Sequence, residues 1–117
     1  MPKGTPLPQP RDWLRDDPDH NLFGRSKPVR WKSARTKTDR ALVAAAITQH
    51  EFAKALRAQL RSRRPPMTTL TLARHSGLTI DQLRRLLRGE THMTLAHMQL
   101  LAMHSGLPLA NTTGTRA

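Results

Sequence analysis

Between residues 72 and 90 the chain reads LARHSGLTIDQLRRLLRGE, and two signals at its centre sit almost on top of each other. Gly77 ends a helix, because a residue without Cβ takes the left-handed turn conformation at little steric cost. Two residues later Thr79 begins another. Thr79-x-x-Gln82 is a capping box, in which two side chains satisfy amides that the first helical turn leaves free. A connection this short cannot lay two helices antiparallel side by side. They must cross at a steep angle, and few small folds accommodate that.

The first seven residues recur. LAMHSGL at residues 101–107 matches LARHSGL at 72–78 in six positions. Each copy reads as a helix end: a small residue, a polar cap, glycine, then a leucine returning to the core. The residues after each copy differ. TIDQ restarts a helix at once, whereas PLAN does not, so the second copy reads as the end of the helical domain. His75 and His104 hold equivalent places near helix C-termini, where a positive or hydrogen-bonding side chain is favourable. His92, His97 and His104 are spaced by five and seven, not as the i, i+4 pair of a helical zinc site. We therefore expect no metal and no cofactor.

Other start signals divide the remaining chain. Asp39 can cap a short apolar segment over residues 39–47. Thr48-x-x-Glu51 is a second capping box and predicts a new helix there. On it Phe52, Ala53, Leu56 and Leu60 share one face, and Lys54, Arg57 and Arg61 another. Thr68 and Thr94 cap two more helices. The last of these has an expected core stripe of Leu95, Met98, Leu101 and Ala102. Ala96, Leu100 and Met103 make a second stripe, expected to cover residues 39–47 or else to meet a second copy in a homodimer. The expected fold is all-α: a small domain of four to five helices over residues 39–109, containing a helix-turn-helix. Residues 1–38 carry six of the nine prolines and no apolar period, and predict a flexible basic arm. Residues 110–117 predict a polar tail.

Charge indicates the class of partner. The formal net charge is +12, with 15 Arg against 5 Lys, and nucleic acid is the commonest partner for such a surface. Steeply crossed helices joined by a short turn are also the geometry that places a second helix in the major groove. On that helix, residues 79–88, Leu83, Leu86 and Leu87 fall on one arc. Asp81, Arg84, Arg85 and Arg88 fall on the opposite one, with Ile80 at its edge. Arginine suits guanine, aspartate accepts from cytosine, and an apolar tip meets a thymine methyl. Ile80, Asp81 and Arg84 are thus the expected base readers. Arg85 and Arg88, with Thr79, Arg61, Arg63 and Arg64, are expected on the DNA backbone; Arg57, Arg61, Arg63 and Arg64 either touch phosphates in this way or only raise the general field. The arm adds Arg25, Lys27, Arg30, Lys32, Arg35 and Lys37 as groove or phosphate contacts, and Trp31 as a residue that either stacks on bases or anchors the arm.

Residues 50–109 resemble the phage-repressor (lambda repressor-like, XRE-type) helix-turn-helix domains. The stretches that carry the likeness are LRAQLRSR, TLTLARHSGLTIDQLRRLLRGE and MTLAHMQLLAMHSGLPL. The resemblance implies a bacterial or phage transcriptional regulator, such as a repressor, binding double-stranded DNA. It also implies a backbone contact at Thr69, where the family often carries glutamine. Two alternatives remain open. One is an antitoxin or adaptor whose residues 12–23, DWLRDDPDHNLF, take a protein partner. The other is a non-specific nucleoid or RNA-binding protein. The carboxylates are scattered and no nucleophile–base pair is legible, so an enzyme is not expected. No apolar run approaches the roughly 20 residues of a membrane span, there is no cysteine, and the expected location is cytoplasmic and nucleoid-associated.

Overall fold

Each of the four α-helices begins on a threonine. In a computed structural model, which describes residues 7–109, Thr36, Thr68, Thr79 and Thr94 are the N-caps. Their hydroxyls accept from the amides of Asp39, Thr71, Gln82 and His97, which satisfies a donor that the first turn leaves free. The helices are α1 (Lys37–Ser62), α2 (Thr69–Ser76), α3 (Ile80–Leu87) and α4 (Leu95–Ser105). A 3-10 turn, Pro10–Trp13, precedes them. The fold is all-α. Among the described residues the one β feature is an isolated antiparallel bridge between Leu14 and Trp31. The expected tail, 110–117, and the first six residues of the arm lie outside the described residues.

The helix ends agree closely with the sequence. Gly77 and Gly106 are both left-handed, at φ 75° and 81°. The amides of Leu78 and Leu107 reach back to the carbonyls of Ala73 and Ala102, each at 3.0 Å, and both leucines pack against the core. These are the long backbone bonds by which a left-handed glycine closes a helix. The two ends also lie together, with the rings of His75 and His104 6.4 Å apart, edge to face.

The core joins all four helices. Leu56 and Leu60 of α1, Leu72 and Ala73 of α2, Leu83 and Leu87 of α3, and Leu101 and Ala102 of α4 are buried in one cluster. Each buried leucine contributes about 1.5–3 kcal/mol. Small residues at 73 and 102 let α2 and α4 approach each other.

Three expectations give way. The chain does not restart at Thr48, because α1 runs unbroken for 26 residues. Thr48 is exposed, and Glu51 pairs with Lys54 at 3.0 Å rather than closing a box. The buried residues Ala46, Gln49, His50, Ala53, Leu56 and Leu60 form one stripe at helical spacing across the expected break. A new start at Thr48 would throw its halves out of phase.

The arm is not a free tail either. Leu14 and Phe23 are buried at 4% and 2% exposure, and Pro10 and Asp17 are also buried. The chain folds back on itself around the Leu14–Trp31 bridge, with the Arg15 amide on the Arg30 carbonyl and the Lys32 amide on the Trp13 carbonyl, both at 2.8 Å. The carboxylate of Asp17 accepts from the amides of Asn21 and Leu22, which closes the intervening turn. Composition indicates flexibility, but a few large apolar side chains suffice when a matching face exists on α1. The tract 12–23, considered for a protein partner, buries Leu14, Asp17 and Phe23 on its own chain and leaves Arg15, Asp16 and residues 18–21 exposed.

Finally, the second stripe of α4 does not cover residues 39–47. Leu95 and Met103 are 80% and 73% exposed, and Leu100 is also exposed. Leu95, expected in the core, is therefore outside it. The segment 39–47 belongs to the first half of α1.

Candidate nucleic-acid interface

α3 divides as its sequence indicates. Leu83, Leu86 and Leu87 are buried, while Asp81, Arg84, Arg85 and Arg88 are exposed. The capping box forms in full: the Thr79 hydroxyl accepts from Gln82 N at 3.0 Å, and the Gln82 side chain accepts from Thr79 N at 2.9 Å. Thr79 thus already uses its hydroxyl to start the helix. Ile80 departs from the expectation of a base reader. It is half-buried and packed against the core cluster, because the first turn of α3 sits close to its neighbours.

The arginines of α3 part to two sides. Arg84 and Arg88 line a cleft of about 220 Å³ together with Thr69, Arg25 and Arg57. Arg85 faces the other way, onto a hollow shared with Gln82, Thr91 and His92. Arg88 is not free. Its Nε lies 2.7 Å from the Glu90 carboxylate, which also stands 3.9 Å from Arg11. Thr69, the first residue of α2, borders the same cleft as Arg84.

Two adjacent polar residues of α1 hold this arrangement in place. Gln49 is buried and uses every hydrogen-bonding group of its side chain. Its Nε2 donates to the carbonyls of Leu86 and Thr91 at 2.8 and 2.9 Å, and its Oε1 accepts from Met93 N at 2.9 Å. It therefore ties the end of α3 and the connection to α4 onto α1. His50, 1% exposed, faces the N-terminal segment. Its Nδ1 accepts from the Gly24 amide at 2.8 Å, and its ring lies edge to face with Phe23 and Trp31. Accepting that bond requires the neutral ring. Burial lowers the pKa of His50, partly offset by Glu51 and reinforced by Lys54. Trp31 thus anchors the arm.

Gly24 fixes where the arm docks. It is left-handed at φ +71°, and a Cβ there would stand 2.7 Å from the Leu87 carbonyl oxygen. The next residue, Arg25, is placed beside Arg57 and above α3. Arg25 and Lys27 also line a larger cleft of about 450 Å³ with Lys54, Arg57 and Arg61. Burial first, then the charges of Arg25, Arg61 and Arg88, push the Arg57 guanidinium down to about 10.

The remaining expected contacts do not converge. Arg30 pairs with Asp16 at 3.3 Å, and Lys32 lies in a hollow with Asp12 and Trp13. Arg35 and Lys37 stand at the start of α1, about 30 Å from Arg57 at 1.5 Å per residue. Arg63 donates to the carbonyl of Ser105 at 3.0 Å and so closes the end of α4. Arg64 is exposed and donates to the Arg63 carbonyl. Gln49, His50, Gly24 and Glu90 support the site without being apparent as supports in the sequence. A polar pair, Gln49-His50, in phase with an apolar helical stripe is the legible signal for two of them.

No protein-family model, curated protein or solved structure matches the chain. No helix among the described residues is long and apolar enough to cross a membrane.

Proposed function

We propose that the protein is a sequence-specific DNA-binding transcriptional regulator that reads the major groove with α3. The observation that carries this reading is the outer face of α3. A doubly capped helix set three residues after α2 exposes Asp81, Arg84 and Arg85, while its leucines are locked in the core. Arg84 and Asp81 are the base readers: a guanidinium can bond guanine in a bidentate manner, and a carboxylate accepts from cytosine. Ile80 is withdrawn from that role. Thr69, Arg85 and the cationic cleft beside Arg84 take the flanking backbone.

Selection of bound fragments from genomic DNA tests the reading. A defined consensus supports it, and Arg84→Ala should weaken the preferred base by about 1–3 kcal/mol at one position. Equal affinity for unrelated duplexes would instead indicate non-specific nucleoid binding. A palindromic consensus with half-sites about 34 Å apart would support a homodimer. The uncovered stripe of Leu95, Leu100 and Met103 is the face that would then pair with a second copy.

A further inference from the structure

The buried Nε of Arg57 has no acceptor. It is sealed from solvent and makes no hydrogen bond, while Nη2 reaches the Leu87 carbonyl only at 3.4 Å. A guanidinium carries five donors in a fixed fork, and leaving them unmet in a half-buried place is unfavourable. Gly24 lies beside this group: a Cβ there would stand 3.5 Å from Arg57 Nε, an ordinary contact distance. The arm thus closes over Arg57 and adds Arg25 beside it.

No carboxylate lines either cleft that meets at this pair. The nearby acids pair with other lining residues of the same clefts, Glu90 with Arg88 and Glu51 with Lys54. Arg25 and Arg57, the two residues that line both clefts as their shared wall, are therefore left with no carboxylate partner of their own. Burial first, and then this crowding of positive charge, depresses the pKa of Arg57. On its α3 side the wall continues to Arg84, with the Thr69 hydroxyl at the start of α2. Fork-shaped donors, a hydroxyl and excess positive charge are what a tetrahedral oxyanion requires.

We propose that Arg57 and Arg25 form a phosphate-binding wall, and that its occupant is a backbone phosphate of the DNA bound by α3. The choice of occupant rests on the DNA-binding reading, whereas the phosphate chemistry stands without it. On this view the arm contributes to binding from a docked position, by completing a clamp that α1 begins. It does not track a groove as a free tail.

Two measurements on the full chain separate these points. The first is thermal unfolding in inorganic phosphate against chloride at equal ionic strength. The wild type should melt higher in phosphate, Arg25→Gln and Arg57→Gln should lose that difference, and Lys32→Gln should keep it. Arg25 is exposed, so its variant tests the wall even if Arg57→Gln unfolds. The second is the slope of log affinity against log salt for a duplex. Each of the two variants should lower it by about 0.9, the contribution of one phosphate contact. No phosphate-specific effect in the wild type overturns the wall. A phosphate effect with unchanged slopes overturns the DNA backbone as occupant and leaves a small phosphorylated ligand. A phosphate effect in a protein that binds no duplex overturns the DNA reading and keeps the wall.

Discussion

Replacing Gln49 by methionine should remove about 3 kcal/mol of stability while leaving the volume of the side chain almost unchanged. Gln49 is 3% exposed and makes three hydrogen bonds of 2.8–2.9 Å, all to backbone groups near the end of α3 or in the connection to α4. An intramolecular hydrogen bond contributes about 1 kcal/mol net, and a buried group left without its partner costs about 1–3 kcal/mol. Three such bonds give about 3 kcal/mol as the lower figure. The Leu86 carbonyl keeps a second donor, the Gly89 amide at 3.3 Å, so the largest sum is not reached. Methionine fills the space without polar groups, which separates hydrogen bonding from packing. Urea unfolding is the assay. With a dependence of about 1.5 kcal/mol per molar, the midpoint should fall by about 2 M at unchanged slope. Gln49→Glu should fall further, since a carboxylate would face two carbonyl oxygens. Because Gln49 anchors the end of α3, Gln49→Met should also weaken duplex binding at temperatures where the protein is still folded. A midpoint shift below about 0.5 M would refute the claim that this side chain secures α3.

Three further outcomes are expected. Gly89→Ala should destabilise by about 2–4 kcal/mol, since its Cβ would stand 2.7–2.9 Å from the Phe23 ring at φ +73°; Gly77→Ala, equally left-handed but with nothing within 4 Å, should lose only about 1–2 kcal/mol, and equal losses would show that Phe23 is not packed there. Burial lowers the His50 pKa in the folded protein, so its contribution is complete above the unfolded value of about 6.5 and is lost as pH falls through the depressed folded value; His50→Phe should flatten the stability profile on the acid side of neutrality, and parallel profiles would contradict this. If α4 pairs two copies, sedimentation should show a dimer that Leu95→Glu with Met103→Glu converts to a folded monomer, whereas a wild-type monomer throughout removes that role from the stripe.

The part of the fold that is legible in the sequence is local. Three of the four threonine caps and the two LAxHSGL ends depend on bonds three to five residues apart, so neighbouring letters suffice. The α3 faces come from helical phase alone. The rest depends on partners far along the chain. Thr48 and Glu51 satisfy a capping box as letters, yet Gln49 and His50 must stay in one helical phase to reach residues 86–93 on one side and Gly24 on the other. That long-range demand outweighs the local signal. The docking of the arm is hidden for the same reason: its prolines and charges are visible, but the slot for Phe23 is built by Gly89 and α1. Ile80 and Arg63 show the converse, since residues of the right chemistry are drawn into packing or into closing another helix. At the site, the exposed arginines of α3 are legible and the Arg25–Arg57 wall is not, because it exists only once the arm is docked.

The docked arm also changes where the folding unit begins. Composition places a boundary between residues 38 and 39, but α1 starts at Lys37, and its buried face needs Phe23, Gly24 and Trp31 as cover. A chain cut at that boundary would open the slot beside Gly89, leave the His50 ring without its donor and take from α1 its Thr36 cap and its first two residues. Loss of DNA affinity after such a cut would therefore report unfolding as much as lost contacts. Protease sensitivity should map the true edge: cleavage is expected at the exposed Leu7 and at the exposed stretch 25–28, and the Phe23–Gly24 peptide should resist it until the whole domain melts.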